Sequence, residues 1–285
     1  MNIINCKEIR EQMLENAKNK IDELKITPKL VVIQIDGDDA SSVYIRNKLK
    51  TCEQVGIECE HIKLPNNISV GDLRKVIAAA CEDSKVHGVM LQLPLPNRLK
   101  SYEQSLLDSI PWNKDVDGLS TDSKSRLWCD KPCIVPATAQ GVMGLLPNDL
   151  SGKSACIIGR SNLVGKPLIK LLMDRNATVT VCHSHTESLA EHISNSDIVI
   201  SAIGLPKYIE YQHTINDNGC SRCKTIIDVG INRDENGKLC GDVKIDDFEN
   251  SYINITPVPS GVGILTTAQL ALNVIVAHEL CTAHV

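Results

Sequence analysis

Ala155-Cys156-Ile157-Ile158-Gly159-Arg160-Ser161-Asn162-Leu163-Val164-Gly165-Lys166-Pro167 is an apolar strand pattern, a glycine turn, and a helix pattern with proline in its first turn. In a strand-turn-helix of this kind the unpaired N–H groups and the dipole of the helix start converge on one point, which suits a pyrophosphate. The two glycines stand six apart, with Ser161 where the middle glycine of G-x-G would fall. The bare spacing therefore fits an ordinary strand-to-helix turn about as well. One strand further on the chain reads Cys182-His183-Ser184-His185-Thr186. Folds selective for NAD carry a carboxylate there for the ribose hydroxyl. None is present, while Arg160 offers charge and Ser184 a hydroxyl, so the reading is NADP rather than NAD. His183 and His185 lack a third ligand, and no metal is expected.

Outward from this turn, strand and helix alternate. Strands are expected at 154–158, 177–182, 197–202 and 225–229, with helices near 164–175 and 187–194. Ile198-Val199-Ile200-Ser201-Ala202-Ile203 is a nearly continuous apolar run, as a parallel strand covered on both faces requires. Earlier in the chain Ile9, Met13, Leu14, Ala17, Ile21 and Leu24 recur at helical spacing. Lys29 to Ile35 reads as a strand, ended by the turn Asp36-Gly37-Asp38-Asp39. Ser41 or Ser42 then caps a helix reaching about Gln54, which Gly56 stops. A strand near Glu58 to Lys63, a helix near Val70 to Cys81 and a strand from Gly88 to Leu93 follow. From Pro94 to Cys133 the chain reads as irregular, and Gly263 to about Leu280 as a long apolar helix. The fold class is α/β with two domains, in keeping with 285 residues at about 150 per domain.

Composition excludes several classes. Thirty basic against 35 acidic residues, a net charge of −5, argue against a polyanion partner. Two tryptophans, five tyrosines and one phenylalanine are too few for a base-stacking platform or a sugar groove. Twelve cysteines without framework spacing read as reduced thiols, and Cys220-Ser-Arg-Cys223 as a loop rather than half of a zinc site. No apolar run is read as reaching the roughly 18 residues that cross a bilayer. A cytoplasmic protein without nucleic-acid or membrane partners is expected.

Tyr44 and Lys48 lie four apart, so on a helix their phenol and ammonium share a face. The pattern is short and equally fits a solvated lysine beside Arg46 and Lys50. It precedes the glycine turn by more than a hundred residues, which argues against a short-chain dehydrogenase. Gln92 interrupts an apolar strand, and a buried amide must satisfy backbone groups or face a cleft. Asp115-Val116-Asp117-Gly118 places two carboxylates in one loop, where carboxylates usually form turns.

Together these stretches resemble the bifunctional methylenetetrahydrofolate dehydrogenase/cyclohydrolase (FolD) family over nearly the whole chain. The matching blocks are Ala40-Ser41-Ser42-Val43-Tyr44-Ile45-Arg46-Asn47-Lys48, Gln92-Leu93-Pro94-Leu95-Pro96, Lys114-Asp115-Val116-Asp117-Gly118, the Gly159 to Pro167 turn, Asp228-Val229-Gly230-Ile231-Asn232 and Thr256-Pro257-Val258-Pro259. The resemblance implies a catalytic, folate-binding α/β domain at 1–137, completed by the C-terminal helix 264–285. It implies a doubly wound Rossmann-type NADP domain at 138–263, a cleft between the two, and a homodimer. The implied reaction is NADP-dependent oxidation of 5,10-methylenetetrahydrofolate to the methenyl cation, then hydrolysis to 10-formyltetrahydrofolate, in one-carbon metabolism that serves purine biosynthesis. An NADP-dependent dehydrogenase of another small substrate on the same fold is the alternative.

By that resemblance Lys48 is the catalytic lysine. A lysine serves as base only when partly neutral, so desolvation must oppose its charge, with Gln92 hydrogen-bonding the neutral amine. Tyr44 orients the substrate ring, and Asp117 holds the donor edge of the pterin. Gly159, Arg160, Ser161, Gly165 and Ser184 hold the phosphate side of NADP, and Ile231 lies near its nicotinamide. Pro259, Gly261 and Gly263 line the folate. Two stretches depart from the family pattern: Ser260-Gly261-Val262-Gly263-Ile264-Leu265-Thr266 stands for Gly-Gly-Val-Gly-Pro-Met-Thr, and Pro136-Ala137-Thr138-Ala139 for Pro-Cys-Thr-Pro.

Overall fold

The structure, a computed structural model, describes residues 1–36 and 39–282, with 39–43 described by their backbone alone. In chain order its first half runs β1 (Asn2–Ile3), α1 (Cys6–Leu24), β2 (Lys29–Ile35), α2 (Asp39–Gln54), β3 (Glu58–Leu64), α3 (Val70–Glu82), β4 (Gly88–Leu91), α4 (Glu103–Leu107), α5 (Thr121–Trp128) and α6 (Ala137–Met143). Then come β5 (Ser154–Ile158), α7 (Gly165–Asp174), β6 (Thr178–Cys182), α8 (Leu189–Ser194), β7 (Ile198–Ser201), β8 (Thr225–Asp228), β9 (Asn232–Arg233), β10 (Leu239–Cys240), β11 (Asn254–Ile255) and α9 (Val262–Thr282). The chain divides into two compact units, with division points inside both α1 and α9. One holds Glu11–Ala137 and the chain from Thr267; the other holds Met1–Arg10 and Thr138–Thr266.

In the Glu11–Ala137 unit, three parallel strands are ordered β3-β2-β4. Side chains alternate along a strand, so β2 sends Leu30 and Val32 to one face and Val31, Ile33 and Ile35 to the other. The first set packs with Met90 against Ala17 and Ile21 of α1, Ile45 and Cys52 of α2, and Leu270, Ala271, Val274 and Ile275 of α9. The second meets Val89, Leu91 and, from α3, Leu73 and Ile77. The stretch read as irregular, 94–133, holds the two short helices α4 and α5, and Leu99, Leu106 and Leu107 from it seal this second core. Helices of five and eight residues are too short to show a period.

The Thr138–Thr266 unit holds a six-stranded sheet, β1-β11-β8-β7-β5-β6, parallel at every pairing. Counted from β5, its own strands follow the doubly wound order 2-1-3-4-5, and chain direction across the sheet reverses between β5 and β7. Ala155 and Ile157 meet Leu168 and Leu172 of α7 on one face; Cys156 and Ile158 meet Ile193, Ile226 and Phe248 on the other. β1, which pairs Asn2 with Asn254 and Ile3 with Ile255, is two residues long and was not foreseen. None of the twelve cysteines is in a disulfide.

α9 corrects one expectation. Among the described residues it is long and apolar enough to cross a membrane by length and composition. Leu265, Ala268, Leu270, Ala271, Val274, Ile275 and Ala277 are nevertheless buried in protein. Its one deeply buried polar side chain is Asn273. The Asn273 amide donates to the carbonyls of Val116 and Val135, each at 2.9 Å, and accepts from Gln269 at 3.0 Å. Replacing it removes the partner of the buried Val116 carbonyl and of the half-buried Val135 carbonyl, so Asn273→Ala should cost about 2–4 kcal/mol of stability in urea unfolding. An unchanged midpoint would remove this assignment.

Candidate functional site

α2 carries Ile45 into the core, and the helical repeat then places Tyr44 and Lys48 together along its flank. The helix begins at Asp39, so Ser41 and Ser42 lie inside its first turn rather than ahead of it; their side chains, like residues 37 and 38 of the expected turn, lie outside the described residues. Tyr44 is exposed and Lys48 half-buried. Lys48 Nζ donates to Gln92 Oε1 at 3.2 Å and lies 3.5 Å from Met90 Sδ. The Gln92 amide nitrogen donates to the carbonyl of Leu93, which turns its oxygen toward the lysine. Its backbone N–H continues the sheet ladder to Ile33 at 2.9 Å. Gln92 is thus an uncharged acceptor held at a strand end.

The two loop carboxylates have separate fates. Asp115 is buried, and one of its oxygens accepts from the Ser120 N–H and the Ser123 hydroxyl, both at 2.8 Å. Ser120 caps α5 through the Ser123 N–H at 3.1 Å, so Asp115 closes the loop onto that helix start. Asp117 is half-buried, and among the described residues its carboxylate accepts no hydrogen bond. Burial raises its pKa, the Lys48 charge pulls it down, and Asp115 pushes it up again. Lys48, Gln92 and Asp117 therefore form one group, with Tyr44 a helical turn from the lysine.

In the other unit Gly159 ends β5 at φ +117°, and a Cβ on it would lie 2.5 Å from the Ala202 carbonyl oxygen. A Cβ on Gly165 would overlap the Gly159 carbonyl. Both glycines are required by close backbone approach, at the point where the sheet order reverses. That separates this turn from an ordinary one. Ser161, at the middle-glycine position, accepts the Val164 N–H at 3.1 Å and so shapes the turn with its side chain. Arg160 is exposed. At the end of β6 the His183 N–H donates to Thr186 Oγ1 at 2.8 Å and the His185 N–H to His183 Nδ1 at 3.2 Å, a tight turn that leaves Ser184 exposed at its tip. Among the described residues no three His, Cys, Asp or Glu side chains are grouped to hold a metal.

Ile231 is half-exposed, and a Cβ on Gly263 would touch its Cδ1 at 3.5 Å, so these two expected residues are neighbours. Pro259 is exposed, while Gly261 is buried with no room for a side chain beside the Pro257 carbonyl. Two carboxylates were missed: Asp228, quoted only as part of a block, and Asp242. Both are buried at the strand ends of this unit. Asp242 follows Gly241 in a stretch with no periodic pattern, and nothing local marks it.

Residues 4–117 match the family model described as the tetrahydrofolate dehydrogenase/cyclohydrolase catalytic domain, and residues 136–282 match its NAD(P)-binding domain. The chain is 43% identical over 284 residues to the bifunctional protein FolD of Agathobacter rectalis, covering 98% of this chain and 99% of that one. Among solved structures, FolD of Campylobacter jejuni superposes with a TM-score of 0.90 at 34% identity over 100% of both chains. FolD of Trypanosoma brucei, solved with NADP and an inhibitor, superposes at 0.84 with 30% identity, over 97% of each chain. With both models matched in order and such identity end to end, the chain belongs to the tetrahydrofolate dehydrogenase/cyclohydrolase family.

Proposed function

We propose that this protein oxidises 5,10-methylenetetrahydrofolate to the 5,10-methenyl cation with NADP, and hydrolyses that cation to 10-formyltetrahydrofolate. The observation that carries the reading is the Lys48–Gln92 pair with Asp117 beside it, inside the stretch that matches the catalytic model. The fold supports a division of labour, with 1–137 and 264–285 doing the folate chemistry and 138–263 holding the cofactor. NADP supplies the acceptor for the hydride.

For hydrolysis, Lys48 takes a proton from the water that attacks the methenyl carbon and returns it to the ring nitrogen N5 as the C–N5 bond breaks, while the remaining hydroxyl proton leaves to solvent as the formyl C=O forms. Gln92 keeps the Lys48 nitrogen at its post without adding charge. Asp117 accepts the donor edge of the pterin, Tyr44 backs the ring, and Pro259, Gly261 and Gly263 line the folate. Gly159, Ser161 and Gly165 admit the pyrophosphate close to the backbone, Arg160 and Ser184 pair with the 2′-phosphate, and Ile231 packs on the nicotinamide side. NADP rather than NAD follows from the absence of a carboxylate at 183–186. It agrees with the cofactor bound in the Trypanosoma brucei relative. On the family resemblance we place the protein in the cytoplasm as a homodimer, on the one-carbon route that purine biosynthesis draws on. Its net charge of −5 favours no nucleic-acid partner, and the burial of α9 side chains favours no membrane partner.

Three measurements test this reading. Lys48→Met should slow methenyl hydrolysis by about a hundredfold or more while the protein stays folded; hydrolysis at the wild-type rate, followed by methenyl absorbance, would refute the mechanism. Arg160→Ala should weaken NADP by about tenfold to a hundredfold and NAD far less, and equal losses would remove the 2′-phosphate assignment. Because burial raises the pKa of Asp117, folate affinity should be full where the group is ionised and fall with decreasing pH, beginning above the ordinary carboxylate range near 4. Asp117→Asn should bind folate weakly at every pH and lose that limb of the KM profile.

A further inference from the structure

Asp242 is fully buried and accepts four hydrogen bonds. One oxygen takes the Ser201 hydroxyl and the Ile203 N–H, both at 2.9 Å; the other takes the Leu205 N–H at 3.1 Å and the Asn232 amide at 2.9 Å. Asp228 holds Asp242 in turn, accepting its N–H at 3.0 Å together with those of Gly230 and Val243 at 2.9 Å. Gly230 leaves no room for a Cβ beside the Asp242 carboxylate, nor Gly241 beside that of Asp228. Two buried carboxylates side by side are costly, and burial pushes Asp228 up to about 6, with the Asp242 charge acting in the same direction. An amide in its place would have a single acceptor oxygen and could not accept all four of these donors.

What the junction holds is specific. Ser201 to Leu205 is the loop leaving β7, and Ile231-Asn232 the turn leaving β8. Between Ser201 and Ile203, Ala202 donates to the Ile158 carbonyl at 2.9 Å and sets its own carbonyl against Gly159. One side chain thus fixes the floor of the glycine turn and the Ile231 turn together. We propose that Asp242, braced by Asp228, is a positioning residue for hydride transfer: it sets the two loops against which the nicotinamide half of the cofactor lies. This rests on the reading of this unit as the NADP-binding part of the enzyme. Hydride transfer is sensitive to small misplacement, whereas hydrolysis of methenyltetrahydrofolate uses Lys48 and needs no nicotinamide.

The test is the ratio of the two activities in Asp242→Asn and Ser201→Ala. Folded Asp242→Asn, checked by circular dichroism and a cooperative melt, should lose about tenfold or more in dehydrogenase kcat, with KM for NADP raised. Its hydrolysis of supplied methenyltetrahydrofolate should stay within about twofold of wild type. Ser201→Ala removes one of the four bonds, should fold in any case, and should shift the same ratio in the same direction by about threefold. The proposal fails if the two activities fall together, or if dehydrogenase activity is unchanged in the folded variants. Should Asp242→Asn not fold, an unchanged ratio in Ser201→Ala is enough to reject it. A wild-type protein with no NADP-dependent dehydrogenase activity would instead overturn the underlying reading.

Discussion

A parallel strand covered on both faces has no solvent to which a polar side chain can turn, so its polar chemistry is displaced to where the strand ends. Both sheets obey this constraint, and the candidate residues follow from it. Gln92 comes directly after β4, Gly159 directly after β5, Ser184 just beyond β6, and Ile231 in the turn after β8. The apolar interiors of the strands hold these ends in register: β2 pairs with β3 and β4, and β5 with β6 and β7, without a break. Lys48 reaches such an end from a helix, and its bond to Gln92 joins α2 to the sheet.

Carboxylates are divided in the same manner in both units. Asp115 commits one oxygen to Ser120 and Ser123, while Asp117, two residues on, has no hydrogen-bonding partner among the described residues. Asp228 and Asp242 spend theirs on backbone and amide donors and leave Ile231 half-exposed on the turn they anchor. In each case a hydrogen-bonded carboxylate fixes the loop, and the residue that would meet a ligand is left open. The Asn273 amide, bonded to the Val116 carbonyl, likewise fixes the backbone next to Asp117.

What the sequence made legible was what depends on neighbours along the chain. Continuous apolar runs revealed the parallel strands, and helical spacing placed α3, α7 and α9 to within a residue or two. The turn at Gly159 was visible, but its decisive property, that Ala202 sits where a Cβ would go, is a contact between residues over forty apart. Asp242 was illegible for the same reason: its partners Ser201, Ile203 and Leu205 lie some forty residues away, and only Asn232 is nearby. β1 escaped notice because two residues carry no period, and the partner strand it needs is about 250 residues on. The spanning apolarity of α9 is hidden in the sequence, because its scattered Thr, Gln and Asn side chains interrupt the apolar run without lowering its overall apolarity.

The departure at Ser260 falls where the backbone can bear it. Ser260 lies at φ +72°, in the left-handed region, where a side chain costs about 1–2 kcal/mol relative to the glycine of the family pattern. Gly261, which is kept, faces a stricter demand: any Cβ there would overlap the Pro257 carbonyl, and no backbone strain of 1–2 kcal/mol could relieve that. Gly263 is also kept, although a Cβ there would make only an ordinary contact with Ile231 at 3.5 Å. Of the three positions, the chain has given up the one glycine whose loss costs only conformational strain. The glycines proposed to line the folate, Gly261 and Gly263, are both kept, so the changed loop is a reason to expect a slightly stiffer turn rather than a different ligand.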